Sequence, residues 1–258
     1  VMGVLQRIAL AYGIAAIMVI HLDLKKIFIS ALGILIAYWG ILWIGGGEDP
    51  YSLEHNLIRK IDIFLLGESH LYGGTGIQFD PEGLLSTIPS VVTVLIGYLV
   101  GSMLHTTKDF LDNVKRMSTF GIGLIIVGII WGLLFPINKQ LWTSSYVLFT
   151  GGIATLFLSA LCYMIDIKKW KKPLWVFQIF GTNSIFLFVL SGLWTKIILR
   201  LRFDLEDQSI SGYGYLYKTL FVPIGGDMFG SFLFAIAHLV GFWLILLWLY
   251  RKKIFINL

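Results

Sequence analysis

The stretch FDPEGLLSTIPSVVTVLIGYLVGSML, Phe79 to Leu104, sets two carboxylates around a proline and then runs on without charge. The uncharged run is roughly twenty residues, about what a helix needs to cross a hydrocarbon core some 30 Å thick. Asp80, Pro81 and Glu82 have the residue types of a helix start. Asp80 suits the N-cap, Pro81 the first turn, and Glu82 the positive end of the helix dipole. The same carboxylates, at the rim of a low-dielectric region, are also suited to hold a cationic amine or take its proton. The two roles are compatible.

The rest of the chain has the same character. Hydrophobic residues make up 57% of the 258 and charged residues 14%, against about 25% charged in ordinary soluble domains. One soluble core of this size cannot hide that much apolar surface. Spanning segments are expected at about 4–22, 27–45, 84–104, 118–135, 143–165, 174–195 and 228–250. Open strands would leave backbone groups unpaired in lipid, so each segment must be helical. The fold class is therefore all-α, a polytopic membrane protein of about seven transmembrane helices in a single domain over 1–258, with a long loop at 46–83. Tyr38, Trp43, Trp142, Trp170, Trp194 and Trp248 fall near segment ends, where an interfacial belt needs them. The single Cys162 has no internal disulfide partner and reads as a small packing residue.

Sidedness follows from Lys and Arg. The turns near 22–26, 105–117 and 166–173 and the tail hold twelve of the 20, and the opposite loops hold eight. The first side is expected to be cytoplasmic, with the C-terminus on it. Net charge +5 then reflects orientation and gives no reason to expect a nucleic-acid partner. An odd number of crossings puts Val1 outside, so further helices are expected upstream. The 46–83 loop falls outside. It carries seven acids against Arg59 and Lys60, and its segment NLIRKIDIFLLG has near-helical spacing that suits an interfacial helix.

Several groups are candidates for chemistry. His70, in GESHLYGG, is either a surface residue or a base beside an acidic, glycine-rich stretch. In PINKQLWTSSY, Pro136 ends one span, Asn138 suits the cap of the next, and Lys139, Trp142, Thr143 and Tyr146 would share a helical face. That face is either a snorkelling lysine with an interfacial tryptophan or a cation and aromatic platform for a ligand. Arg7, Asn183 and His238 lie inside spans, where polar groups default to a functional reading. Asn183 and His238 are explained as well by hydrogen bonds to neighbouring helices. Metal-ligand spacing and a phosphate-cradling glycine loop are not found in the sequence.

Taken together, GVLQRIALAY (3–12), IDIFLLGESHLYGG (61–74), FDPEGLLSTIPSVVTVLIGYLVG (79–101), PINKQLWTSSYVLFTGG (136–152), FGTNSIFLFVLS (180–191) and YRKKIFI (250–256) resemble the heparan-alpha-glucosaminide N-acetyltransferase family and its bacterial relatives. The resemblance implies a membrane-bound enzyme, in a bacterial inner membrane. It takes acetyl from cytoplasmic acetyl-CoA and delivers it to the amine of a glucosamine-type sugar or glycan outside. It implies no metal and leaves a homo-oligomer open. On it, His70 and Asp80 are the candidates for the base, and Glu82, Arg7, Asn138, Lys139, Trp142 and Asn183 for substrate binding. The family's catalytic histidine precedes the GVLQRIAL motif, so this chain is expected to be the C-terminal portion of a longer protein and inactive alone. The alternatives are a polysaccharide O-acetyltransferase and, in another class, a sugar or amine permease.

Overall fold

The computed structural model describes residues 3–256 apart from 75, 105, 171, 206 and 207. The described chain is helical apart from one short hairpin, and it divides into two compact units, Val1–Lys169 and Trp170–Leu258.

In the first unit, α1 (Val4–His21) and α2 (Leu24–Gly45) are joined by a tight turn whose Asp23 carboxylate accepts the Lys26 N–H at 2.9 Å. The acidic loop contains α3 (Leu57–Leu66) and one 3-10 turn, Glu68–His70. Then come α4 (Thr87–Met103), α5 (Phe110–Gly132) and α6 (Ser144–Cys162), which continues into a π-helical turn at Tyr163–Ile167. Lipid tails are as apolar as leucine, so close approach and hydrogen bonds must hold such helices together. Glycines supply the approach between α5 and α6: a Cβ at Gly152 would lie 2.6 Å from the Gly121 carbonyl, and one at Gly128 2.8 Å from the Phe149 nitrogen. Ala11, Ala15, Leu35, Leu95, Met117 and Val147 fill the centre of the unit, while Leu5, Ile20, Ile130 and Leu133 point outward. The outward faces are as oily as the inward ones, the reverse of a soluble helix.

A second cluster, Tyr38, Leu42, Ile58, Phe79, Phe135 and Leu141, is fully buried and anchors the 46–83 loop onto the helix ends. The expected helix in NLIRKIDIFLLG is α3, capped by Asn56, whose side chain accepts the Arg59 N–H at 2.9 Å.

In the second unit, α7 (Trp175–Thr182) and α8 (Ser184–Arg200) meet at Asn183 with a 77° bend. Strands β1 (Arg202–Leu205) and β2 (Gln208–Ser211) pair antiparallel, Arg202 opposite Ser211. A short α9 (Gly212–Leu216) and a π-helical turn at Tyr217–Phe221 lead into α10 (Val222–Arg251). α10 breaks at Gly225 and Gly226, the latter at φ 75°, a left-handed conformation that suits glycine.

Among the described residues, five stretches are long and apolar enough to cross a membrane: Val4–His21, Leu24–Gly45, Phe110–Gly132, Ser144–Ile167 and Gly212–Arg251. The bent pair α7–α8 makes a sixth if it crosses as one span, and α4 is apolar but only 17 residues long. This is a polytopic helical membrane protein, and each of these stretches overlaps an expected span. Four of the expected spans differ in the structure. α4 starts at Thr87 rather than 84, because residues 80–86 form a turn. α5 starts at Phe110 rather than 118, where Asp109 accepts the Leu111 N–H at 2.9 Å. The spans expected at 174–195 and 228–250 are not straight helices; one bends at Asn183 and the other extends back to Gly212 through the glycine break.

Candidate functional site

Asp80 is not the N-cap of α4. Its Oδ1 accepts the Glu82 N–H at 3.0 Å, the Gly83 N–H donates to the Asp80 carbonyl at 3.1 Å, and the chain turns back on itself before the helix begins. Ser86 is the residue before α4, and Ser86 Oγ and Thr87 Oγ1 both donate to the Gly83 carbonyl, at 3.0 and 2.9 Å. A turn this deep in the protein must find partners for its remaining carbonyls. Arg7, in the first turn or so of α1, provides them. Its Nη1 donates to the Pro81 carbonyl at 2.9 Å and its Nη2 to the Ser86 carbonyl at 2.8 Å. Arg7 as a whole is buried, 5% exposed.

The opposite face of the guanidinium rests on Trp142, its carbon 3.9 Å from the ring centroid. Trp142 sits in a left-handed backbone conformation, φ 50°, in the turn before α6. Its indole N–H donates to Thr93 Oγ1 of α4 at 3.3 Å, and its ring meets Tyr146 edge-on at 5.1 Å. The expected helical face of Lys139, Trp142, Thr143 and Tyr146 is therefore not formed as such, since α6 starts only at Ser144. Thr143 is its cap, and Thr143 Oγ1 donates to the Pro136 carbonyl at 2.8 Å while accepting the Asn138 N–H at 3.0 Å. Asn138 does not cap α6; its Oδ1 accepts the Gln140 and Leu141 N–H groups at 2.8 and 3.3 Å.

The structure thus brings Arg7, Asp80, Glu82 and Trp142 to one place. Glu82 and Asp80 act electrostatically on Arg7, yet among the described residues no carboxylate lies within ion-pair distance of it. Lys139 is exposed in the turn before Trp142. His70 lies in the exposed 3-10 turn, its Nδ1 3.4 Å from Ser69 Oγ. The loop carrying it closes through Phe79 N–H to the Tyr72 carbonyl at 3.0 Å, with Arg59 Nε on the Gln78 carbonyl at 2.9 Å and Arg59 Nη2 on Glu68 at 3.3 Å.

Asn183 belongs to the second unit. It is fully buried at the α7–α8 bend, where its Nδ2 donates to the Ile254 carbonyl at 3.1 Å and its Oδ1 accepts the Ile256 N–H at 2.8 Å. It holds the C-terminal segment rather than a neighbouring helix. His238 is also in that unit, on α10, its Nδ1 2.9 Å from the Phe234 carbonyl one turn back.

One residue of the first unit goes unnoticed in the sequence. Asp62, on α3, is fully buried. Its Oδ1 accepts the Leu84 N–H at 3.1 Å, and its Oδ2 is buried without a hydrogen-bond partner. Gly83 leaves room for that oxygen, for a Cβ there would overlap Asp62 Oδ2. Burial pushes the Asp62 carboxyl up to about 6; the Leu84 N–H partly opposes this, and the charge of Asp80 adds to it. The available signal is its spacing: Asp62 follows the buried Ile58 by one helical turn, on the face of α3 that turns inward.

The chain is similar to known proteins. The chain is 34% identical over 171 residues to the heparan-alpha-glucosaminide N-acetyltransferase of Mus musculus, covering 58% of this chain and 26% of that protein. It is 34% identical over 147 residues to the protein of the same name from Homo sapiens, covering 50% of this chain and 22% of that one. The family resemblance holds. The chain spans about a quarter of the length of these heparan-alpha-glucosaminide N-acetyltransferases. No protein-family profile matches it.

Proposed function

We propose that this chain is part of a membrane-bound acetyltransferase that moves acetyl from cytoplasmic acetyl-CoA to the amine of a glucosamine-type sugar or glycan outside. The observation that carries this reading is the 34% identity to two proteins named heparan-alpha-glucosaminide N-acetyltransferase. Both compact units are taken as parts of one transmembrane acyltransferase-type domain in a bacterial inner membrane, with the lysine-rich turns and the C-terminus inside.

The geometry supports an acceptor site at the 80–86 turn. A sugar amine is mostly protonated when it arrives and must lose that proton before its nitrogen can attack the acetyl carbonyl. Asp80 and Glu82 supply the negative potential that attracts it, and His70 and Asp80 are the groups assigned to take the proton. Trp142 offers an apolar ring at the same place, and Lys139 a cation at the rim. Arg7 contributes by holding the turn, because both its Nη groups are already bonded to backbone. Asn138 acts in the same way through the backbone it ties down, while Asn183, assigned to substrate binding, ties down the C-terminal segment of the second unit. The donor supplies the acetyl group, its thiol leaving as the amide forms.

A second reading, a permease for a sugar or amine, draws support from one observation. Helices interrupted within an apolar stretch often mark a transporter binding site, and α10 is interrupted at Gly225–Gly226. One experiment separates the two. Full-length protein is placed in sealed vesicles, acetyl-labelled acetyl-CoA is supplied on the face bearing the lysine-rich turns, and glucosamine is supplied on the other face. Labelled N-acetylglucosamine on the glucosamine side, without net sugar movement, is the expected result. Sugar that crosses unmodified sinks the transferase reading.

A further inference from the structure

Asp62 and Asp80 are both nearly inaccessible to solvent, at 0% and 2% exposure, and both organise the same turn. Asp80 does so through the Glu82 N–H and Asp62 through the Leu84 N–H. Neither has a cation at ion-pair distance among the described residues, and Asp62 Oδ2 has no partner at all. The charged and titratable groups that act on Asp62 are Asp80 and Tyr38, while Arg7 and Glu82 act on each other at the same turn. Arg59, on the same helix as Asp62, is committed to Gln78 and Glu68. A carboxyl buried with one oxygen unpartnered, and with a second carboxylate acting on it, is disfavoured in its charged form.

We propose that Asp62, paired with Asp80 on one turn, is a buried acid that holds a proton until a protonated primary amine binds there. This deepens the proposed function and rests on it. Asp62 is a positioning residue, since its carboxyl is buried behind Gly83 and does not touch the amine. The balance is simple: bound R–NH3+ stabilises a second negative charge, Asp62 –COOH becomes –COO−, and one proton passes to buffer. Near pH 6 Asp62 is thus partly neutral in the empty turn, and it offers its full negative charge only to a cation, in addition to the potential of Asp80 and Glu82. A neutral N-acetylated sugar lacks the charge that holds the second ionisation, so the same exchange favours release of the acetylated product.

The test is calorimetric titration of the full-length protein in lipid nanodiscs, near pH 6, in two buffers of different protonation enthalpy. Glucosamine is expected to release about half a proton per bound amine when a single carboxyl titrates near the working pH. N-acetylglucosamine should release none. Asp62→Asn keeps an oxygen for the Leu84 N–H and should reduce the glucosamine value to near zero. Asp80→Asn keeps an oxygen for the Glu82 N–H and removes the like charge, so it should shrink the release as well. Equal release in wild type and Asp62→Asn overturns the acid pair and leaves the transferase reading standing. Cyclohexylamine, an amine without sugar hydroxyls, separates the opposite case. If it binds with Asp62-dependent release and glucosamine does not bind, the pair stands and the amino-sugar reading falls. If neither amine binds, the pair falls.

Discussion

The guanidinium carbon of Arg7 lies over Trp142, 3.9 Å from the ring centroid, while its two terminal nitrogens hold carbonyls of a turn more than seventy residues away in sequence. One planar cation therefore joins α1, the turn before α4 and the turn before α6. Lysine cannot copy this, because an ammonium is a point donor without a plane to stack. Arg7→Lys should leave one of the two carbonyls unpaired and cost about 2–4 kcal/mol, from a charge-assisted hydrogen bond of about 1.5–3 kcal/mol and the weakened ring contact. Thermal unfolding in detergent reads this directly, and a melting temperature equal to wild type would show that the clamp is not formed.

Gly83 and Asp62 should be energetically coupled. A Cβ at Gly83 overlaps Asp62 Oδ2 and comes within 3.2 Å of the Asp80 carbonyl. Gly83→Ala is expected to destabilise by about 1–3 kcal/mol through overpacking. In an Asp62→Ala background the oxygen is gone and the added methyl has space, so most of that penalty should vanish. A double-mutant cycle giving no interaction energy would place the two side chains apart.

Much of this architecture is legible in the sequence, because apolar windows are composition-scale signals. α3 was legible too, since Asn56 and Gly67 bracket it and the apolar spacing is helical. The turn 80–86 was not. Asp-Pro-Glu-Gly suits a helix start and a β-turn equally by local chemistry, and the choice is made by Arg7 and Asp62, which arrive from distant parts of the chain. Trp142 was misplaced for a related reason. Helical spacing assumes helical backbone, and its φ of 50° shows that the chain there is still turning. Arg7, Asp80, Glu82 and Trp142 were individually visible as candidates, but their convergence depends on tertiary hydrogen bonds that no local pattern encodes.

In the second unit, Asn183 should control the C-terminal segment. Its amide satisfies one donor and one acceptor of residues 254 and 256. Asn183→Leu removes both bonds and leaves those backbone groups without their partners, at about 1–3 kcal/mol for buried unsatisfied groups. Hydrogen exchange at Ile256 is expected to speed up by at least tenfold, with helix α5 unaffected. Unchanged exchange at Ile256 would mean that other contacts hold the segment.

The buried carboxyl of Asp62 should also be visible in the pH dependence of stability. Its pKa is pushed up to about 6 from an ordinary 3.8, mainly by burial. Folding therefore favours its protonated form. Below about pH 4 the carboxyl is neutral in both folded and unfolded chains and costs nothing extra. Between about 4 and 6 the unfolded chain ionises first, and the folded state loses stability as pH rises. Above about 6 the loss is complete, on the order of 2–3 kcal/mol at 1.36 kcal/mol per pKa unit. Asp62→Asn removes the titrating group and keeps the Leu84 bond, so the difference in melting temperature between variant and wild type should favour the variant at pH 7 and shrink toward pH 4. A difference that stays constant across that range would mean Asp62 titrates as an ordinary surface carboxylate. Because Asp80 raises Asp62 further through its own charge, Asp80→Asn should move the midpoint of that change to lower pH, an outcome that a purely local burial effect would not produce.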